Sequence, residues 1–199
     1  MMRIKSAIFV SSSASLQQCP PSRLPEFAFI GRSNVGKSSL INMLTNNSRL
    51  ALTSSNPGKT ILINHFLIND EWHLVDLPGY GYARRSKDQI ARFQRMIRTY
   101  ILGREVMYCL FLLIDGNIPP QKIDLEFVQW LGEHDVPFAL VFTKADKSKP
   151  SAYRRNVDAF LHMLQDTWEE LPPHLIVSAL KGTGREELLQ FIESAMNVV

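Results

Sequence analysis

The octet Gly31-Arg32-Ser33-Asn34-Val35-Gly36-Lys37-Ser38 fits G-x-x-x-x-G-K-[ST], and its flanks restrict what this chain can become. Before it runs the apolar stretch Phe27-Ala28-Phe29-Ile30; after it, Ser39-Leu40-Ile41-Asn42-Met43-Leu44 reads as a helix. Strand, glycine loop and helix in that order form a phosphate-binding loop. Gly31 and Gly36 let the backbone curl so that successive N–H groups face phosphate oxygens, and the helix N-terminus adds partial positive charge. Lys37 would reach the β- and γ-phosphates, and the Ser38 hydroxyl would enter a Mg²⁺ shell.

Three further motifs follow in order. Asp76-Leu77-Pro78-Gly79 closes the strand Trp72-His73-Leu74-Val75, so the carboxylate can hold a Mg²⁺-bound water while the Gly79 N–H meets a γ-phosphate. Thr143-Lys144-Ala145-Asp146 follows Phe138-Ala139-Leu140-Val141-Phe142. A carboxylate at Asp146 accepts two hydrogen bonds from guanine N1–H and the 2-amino group, and Lys144 lays its stem along the base. Adenine lacks that amino group, and such a site rejects the wrong base by roughly 10⁴-fold. Ser178-Ala179-Leu180 follows Leu175-Ile176-Val177; the Ala179 N–H can contact guanine O6 while Ser178 braces the loop.

Each motif ends a predicted strand, which is where ligands bind in open parallel sheets. Ile4–Val10 reads as a first strand and 11–25 as a Ser/Pro-rich connection, both part of one domain with residues 26–199. The polar stretch 46–59 is the expected mobile segment. Strands over 60–67 and 71–75, joined by the turn Asn69-Asp70, are expected to pair as an antiparallel edge. Strands near 107–114, 138–142 and 174–177 alternate with helices near 121–133, 151–170 and 185–197. The expected fold is therefore α/β, a three-layer, doubly wound, mostly parallel sheet.

The four motifs together resemble a Ras-like P-loop G domain of the translation-factor-related group. In that setting Thr60, within Pro57-Gly58-Lys59-Thr60, is the switch-I threonine, with its hydroxyl on Mg²⁺ and its N–H toward the γ-phosphate. Lys37, Thr60 and Gly79 would carry the hydrolytic step. Tyr80 stands where Ras-like proteins place a water-orienting glutamine, so intrinsic hydrolysis is expected to be slow, on the order of 10⁻⁴–10⁻² s⁻¹. Two readings stand for Asn34: a residue chosen for its turn-compatible backbone, or a ligand for K⁺, as in GTPases related to TrmE and Era. Arg32 is read as solvent-facing.

The octet Asp76-Leu77-Pro78-Gly79-Tyr80-Gly81-Tyr82-Ala83, taken with Gly31–Ser39 and Pro57–Thr60, resembles the EngB (YihA/YsxC) family of small bacterial G proteins. That resemblance implies GTP/GDP contacts at Gly31, Arg32, Ser33, Asn34, Val35, Gly36, Lys37 and Ser38. It implies more at Gly58, Lys59, Thr60, Ile61 and Leu62, and at Asp76, Leu77, Pro78 and Gly79. The base side falls on Thr143, Lys144, Ala145 and Asp146, with Val177, Ser178 and Ala179. Mg²⁺ falls on Ser38 and Thr60, with Asp76 acting through water. The resemblance also implies a role in large (50S) ribosomal subunit assembly and in cell division. One departure is Asp115-Gly116-Asn117, where the family more often has an arginine after the aspartate.

Charge points the same way. From Arg84 to Arg104 there are seven basic residues against one acid, a net +6 in a chain whose total is +3. Ser86 with Gln89 forms a capping box and Gly103 ends a helix. Ile90, Phe93, Ile97 and Ile101 share its inner face, leaving Arg92, Arg95 and Arg98 outward as a surface for ribosomal RNA. The alternative function is a nucleotide-gated RNA-binding module with incidental turnover. Two cysteines give no disulfide framework, and Cys109 reads as core packing. The longest apolar run, 106–114, is far short of a membrane span. No leader peptide is expected, and the chain is read as a cytoplasmic monomer.

Overall fold

The computed structural model describes residues 2–51, 62–81 and 86–197. A seven-stranded sheet runs in the order β1-β3-β4-β2-β5-β6-β7. Its strands are β1 (Ala7–Ser13), β2 (Glu26–Gly31), β3 (Ile63–Ile68), β4 (Trp72–Asp76), β5 (Met107–Asp115), β6 (Phe138–Thr143) and β7 (His174–Ile176). The helices are α1 (Lys37–Thr45), α2 (Lys87–Gly103), α3 (Lys122–Glu133), α4 (Pro150–Gln165) and α5 (Arg185–Met196). Strands β4, β2, β5, β6 and β7 are mutually parallel, whereas β3 and β1 run antiparallel to their neighbours.

Strand β2 is buried at every position because it lies mid-sheet with helices on both faces. On one face Phe27, Phe29 and Phe111 pack with Leu40, Ile41 and Leu44 of α1 and Leu188 and Ile192 of α5. On the other, Ala28, Ile30, Leu110 and Leu112 meet Ile97 and Tyr100 of α2, Val128 and Leu131 of α3, and Phe160 of α4. Crossovers through α2, α3 and α4 keep β4, β5, β6 and β7 parallel, so the loops that follow β2, β4, β5, β6 and β7 lie at one end of the sheet, where the motifs are.

Three expectations need correction. The first strand runs over 7–13, not 4–10, since Ser11, Ser12 and Ser13 pair with His65, Asn64 and Ile63 after a bulge. Pairing with β3 overrides the polarity of the serines, and Ser12 also donates to Asn64 Oδ1 at 2.5 Å. Strand β1 therefore forms the sheet edge, covering β3; the β3–β4 pair is interior. Helix α4 stops at Gln165 rather than near 170, because Thr167 and Trp168 turn back onto Leu164 O and the Trp168 ring lies over Gly132. Of the polar segment 46–59, the Asn42 side chain bonds Ser48 O, Ala51 O and Ala51 N–H, and residues 52–59 lie outside the described residues.

At the sheet end remote from the loops, Glu26 is fully buried. Tyr100 donates to its Oε2 at 2.6 Å, and Arg104 donates to Oε1 at 2.5 Å and to Oε2 at 3.0 Å. His65 Nε2 stands 3.2 Å from Oε1. Burial alone would raise the carboxyl pKa, but His65, Arg104 and Tyr100 overcome it and hold the group at about 2. Arg104 accordingly belongs to this internal pair and not to the outward basic face.

A carboxyl depressed from 4.5 to about 2 contributes stability that is present above the higher value and lost as pH falls through the lower. The size is about 3 kcal/mol. Urea unfolding of Glu26→Gln should show that loss at pH 7, shrinking as the pH is taken toward 3. A loss equal at both pH values would mean that ionisation of Glu26 contributes nothing.

Candidate functional site

The phosphate loop lies between β2 and α1. Gly36 adopts φ 100° as the N-cap of α1, a conformation that frees the first-turn N–H groups to face outward. Asn34 has φ 64° and is exposed, which supplies a backbone reason for asparagine at this place. Ser33 is also exposed and Val35 is buried beneath the loop. Arg32 is half-buried, not simply solvent-facing: its main chain bridges Tyr80 and its side chain lies beside Gly81.

Asp76 ends β4, next to β2, and Lys37 makes an ion pair with its Oδ1. Burial pulls the Lys37 ammonium down to about 7. The adjoining carboxylate works against that fall. The strap 77–80 then runs along the end of β2: Leu77 N–H donates to Phe29 O at 3.0 Å and Tyr80 N–H to Gly31 O at 3.2 Å. A Cβ on Gly79 would stand 2.7 Å from Gly31 O, so only glycine lets the strap close this tightly on the loop.

The β6 and β7 loops make a second cluster. Thr143 is buried and its hydroxyl donates to Val35 O at 2.7 Å, fastening the phosphate loop to the next motif. Lys144 takes φ 63° and its ammonium reaches Asp115 Oδ2 at 2.5 Å. Ala145 N–H donates to Val177 O at 3.2 Å. Ser178 donates to Asp146 Oδ1 at 2.5 Å, and that hydrogen bond is the main cause holding the Asp146 carboxyl below its usual range. Ser178 also accepts from Lys181 N–H at 3.1 Å, while Ala179 sits half-buried beside it.

The structure thus gathers Gly31–Ser38, Asp76–Gly79, Thr143–Asp146 and Val177–Ala179 at one sheet edge. Leu62 lies half-buried before β3, and Gly58, Lys59, Thr60 and Ile61 fall outside the described residues. Oxygen donors from Ser38 and Asp76, both hard ligands, suit Mg²⁺. Three participants were not read as site residues from sequence. Asp115, which ends β5 as Asp76 ends β4, could have been found from that parallel. Tyr153, donating to Thr143 O at 3.0 Å, and Asp124, accepting from Tyr80 at 2.7 Å, come from helices and carry no local signal.

A phosphate loop, an acidic strand end and a carboxylate-bearing base loop on a Ras-like α/β sheet define a P-loop GTPase, which binds GTP and GDP. Residues 26–144 match the family model described as a 50S ribosome-binding GTPase. The chain is 60% identical over 193 residues to a probable GTP-binding protein EngB of Phocaeicola vulgatus, covering 97% of this chain and 96% of that one. It is 54% identical over 198 residues to the corresponding Christiangramia forsetii protein, covering 100% of both. A crystal structure of a probable GTP-binding protein EngB superposes with a TM-score of 0.69 at 28% identity, over 87% of this chain and 100% of the other. The chain belongs to the EngB family of GTP-binding proteins.

Proposed function

We propose that this GTPase is a slow nucleotide switch that docks on precursors of the large ribosomal subunit, favouring attachment with GTP and release after hydrolysis. The observation that carries the reading is the outer face of α2, directly after the Asp76–Tyr80 strap. Arg92, Arg95 and Arg98 are all exposed there, with Ile97, Tyr100 and Ile101 turned to the core. Ile90 and Phe93 are only half-buried, so the first part of α2 sits less deeply than its end. A one-signed face of this kind suits phosphate-rich RNA. The match to a family model described as a 50S ribosome-binding GTPase supports this reading.

Within this proposal Ser38 and Thr60 would hold Mg²⁺, with Asp76 acting through water, and Lys37 and the Gly79 N–H would face the terminal phosphates. When bound, Mg²⁺ supplies charge neutralisation across the β- and γ-phosphates. The K⁺ reading of Asn34 belongs here too. So do a cytoplasmic, monomeric protein and a contribution to normal septation through ribosome supply. Among the described residues no helix is long and apolar enough to cross a membrane.

The test is co-sedimentation with large ribosomal subunits, in GDP and in a non-hydrolysable GTP analogue, across a salt series. Binding should be tighter with the analogue. Reversing Arg92, Arg95 and Arg98 to Glu should abolish it while GDP affinity stays within about twofold, as expected for exposed charges outside the nucleotide motifs. Retention of ribosome binding by that variant would remove α2 from the interface.

The second reading, a nucleotide-gated binding module with incidental turnover, draws on Tyr80. Its ring is buried, so it cannot orient an attacking water as a glutamine does. Single-turnover hydrolysis separates the two: ribosomal subunits accelerate a timer and leave a module unchanged.

A further inference from the structure

Tyr80 makes three contacts in three directions. Its N–H bonds the phosphate loop at Gly31 O, 3.2 Å away. Its hydroxyl donates to the buried carboxylate of Asp124, on the first turn of α3, at 2.7 Å. Its ring stacks on Phe127, one turn further along, with centroids 4.7 Å apart and planes 18° from parallel. The stack continues along one stripe of α3: Phe127 to Trp130 at 5.7 Å, then Trp130 to His134 at 4.6 Å. The Arg98 guanidinium of α2 lies 5.1 Å over the Trp130 ring. A continuous line of contacts, main chain at Gly31 and side chains from Tyr80 onward, therefore joins the phosphate loop to a cap at the α2–α3 seam, where Arg98 and His134 are exposed and Trp130 is half-buried.

This line has little slack. Gly79 closes on Gly31 O so tightly that no Cβ fits. Asp124 is buried, and breaking its bond to Tyr80 would strip a carboxylate of its hydrogen-bond partner, a costly outcome inside a protein. A shift of the main chain at 79–80 toward a γ-phosphate must carry the ring with it, and Phe127 lies against that ring.

We propose that Tyr80 is a positioning residue that couples the phosphate end of the nucleotide site to α3, so that the Arg98–Trp130–His134 cap reports which nucleotide is bound. The inference rests on the switch reading and adds its route: the surface that responds is the α2–α3 seam, and the residue in the usual glutamine position transmits instead of catalysing.

The full-length protein labelled with 5-fluorotryptophan carries three reporters, Trp72, Trp130 and Trp168, and Trp130→Phe assigns the relevant ¹⁹F resonance. With saturating GDP or a non-hydrolysable GTP analogue, the Trp130 resonance should move between the two, whereas Trp72, buried at the far end of β4, should not. Tyr80→Phe should shrink that movement at least threefold. It should also weaken the GTP analogue about tenfold and leave GDP within about twofold. Asp124→Ala removes the same bond from the other side and should give the same pattern. A Trp130 resonance indifferent to nucleotide in the wild type overturns the inference. So does a full-sized movement in either variant, or an equal loss of both nucleotides. Ribosome binding is read separately, so a Trp130 response without co-sedimentation would support this coupling and sink the ribosomal reading.

Discussion

Lys37→Ala should weaken GDP and GTP binding on the order of 100-fold or more while leaving the fold intact. The ammonium would make charge-assisted bonds to two phosphate groups in a partly desolvated cleft, and each such bond is worth about 1.5–3 kcal/mol. Losing them multiplies the dissociation constant by roughly tenfold per 1.4 kcal/mol. The folded protein should tolerate the change, because Lys37 lies in the first turn of α1 and, among the described residues, only Asp76 loses an ion-pair partner. Calorimetric titration with GDP, alongside thermal unfolding of the free protein, separates the two effects. Unchanged affinity would move the phosphates away from Lys37; a collapsed melting temperature would make its role structural.

Asp146→Asn should exchange base preference instead of destroying binding. The carboxylate accepts from guanine N1–H and the 2-amino group, whereas an amide presents a donor to that amino group and leaves both unpaired. Xanthine carries a 2-oxo group, which accepts from the new amide. GTP affinity should fall on the order of 10³–10⁴-fold and xanthosine triphosphate should become the better ligand. Ser178 remains able to donate to the amide oxygen, so the loop keeps its brace and the effect reads the base contact itself. Competition between the two nucleotides against a fluorescent analogue measures the ratio. A variant still strict for guanine would take Asp146 out of the base site.

Both predictions come from short motifs whose chemistry is local. A glycine with positive φ, a lysine after it and an aspartate at a strand end mean the same thing wherever the backbone carries them. Strand periods were equally readable: β2 and β4 to β7 fall within a residue or two of where alternation and apolar runs put them. Strand β1 was not, because three consecutive serines have no reason of their own to extend until β3 offers them a ladder.

Long-range polar contacts were harder still. Glu26, Tyr100 and Arg104 each look ordinary in sequence: a strand start, a helix aromatic, a basic residue in a basic run. Only the crossover from β2 through the sheet to α2 brings them together, separated by 74 and 78 residues, and removes Arg104 from the charged face. Tyr80 and Asp124 stand 44 residues apart and meet for the same reason. Lys144 and Asp115 are joined by the pairing of β5 with β6, which lines up their strand ends.

The sequence by itself determined the class of ligand, the base, the order of the elements and the family, since these reside in residue types at fixed local spacing. Tertiary structure alone decided that the tyrosine after Gly79 is an internal strut and that Thr143 fastens one loop to another. It also decided which arginines remain on the surface. Such properties depend on which elements the sheet order makes neighbours, and on the cost of burying a polar group without a partner, neither of which is expressed within any short stretch of chain.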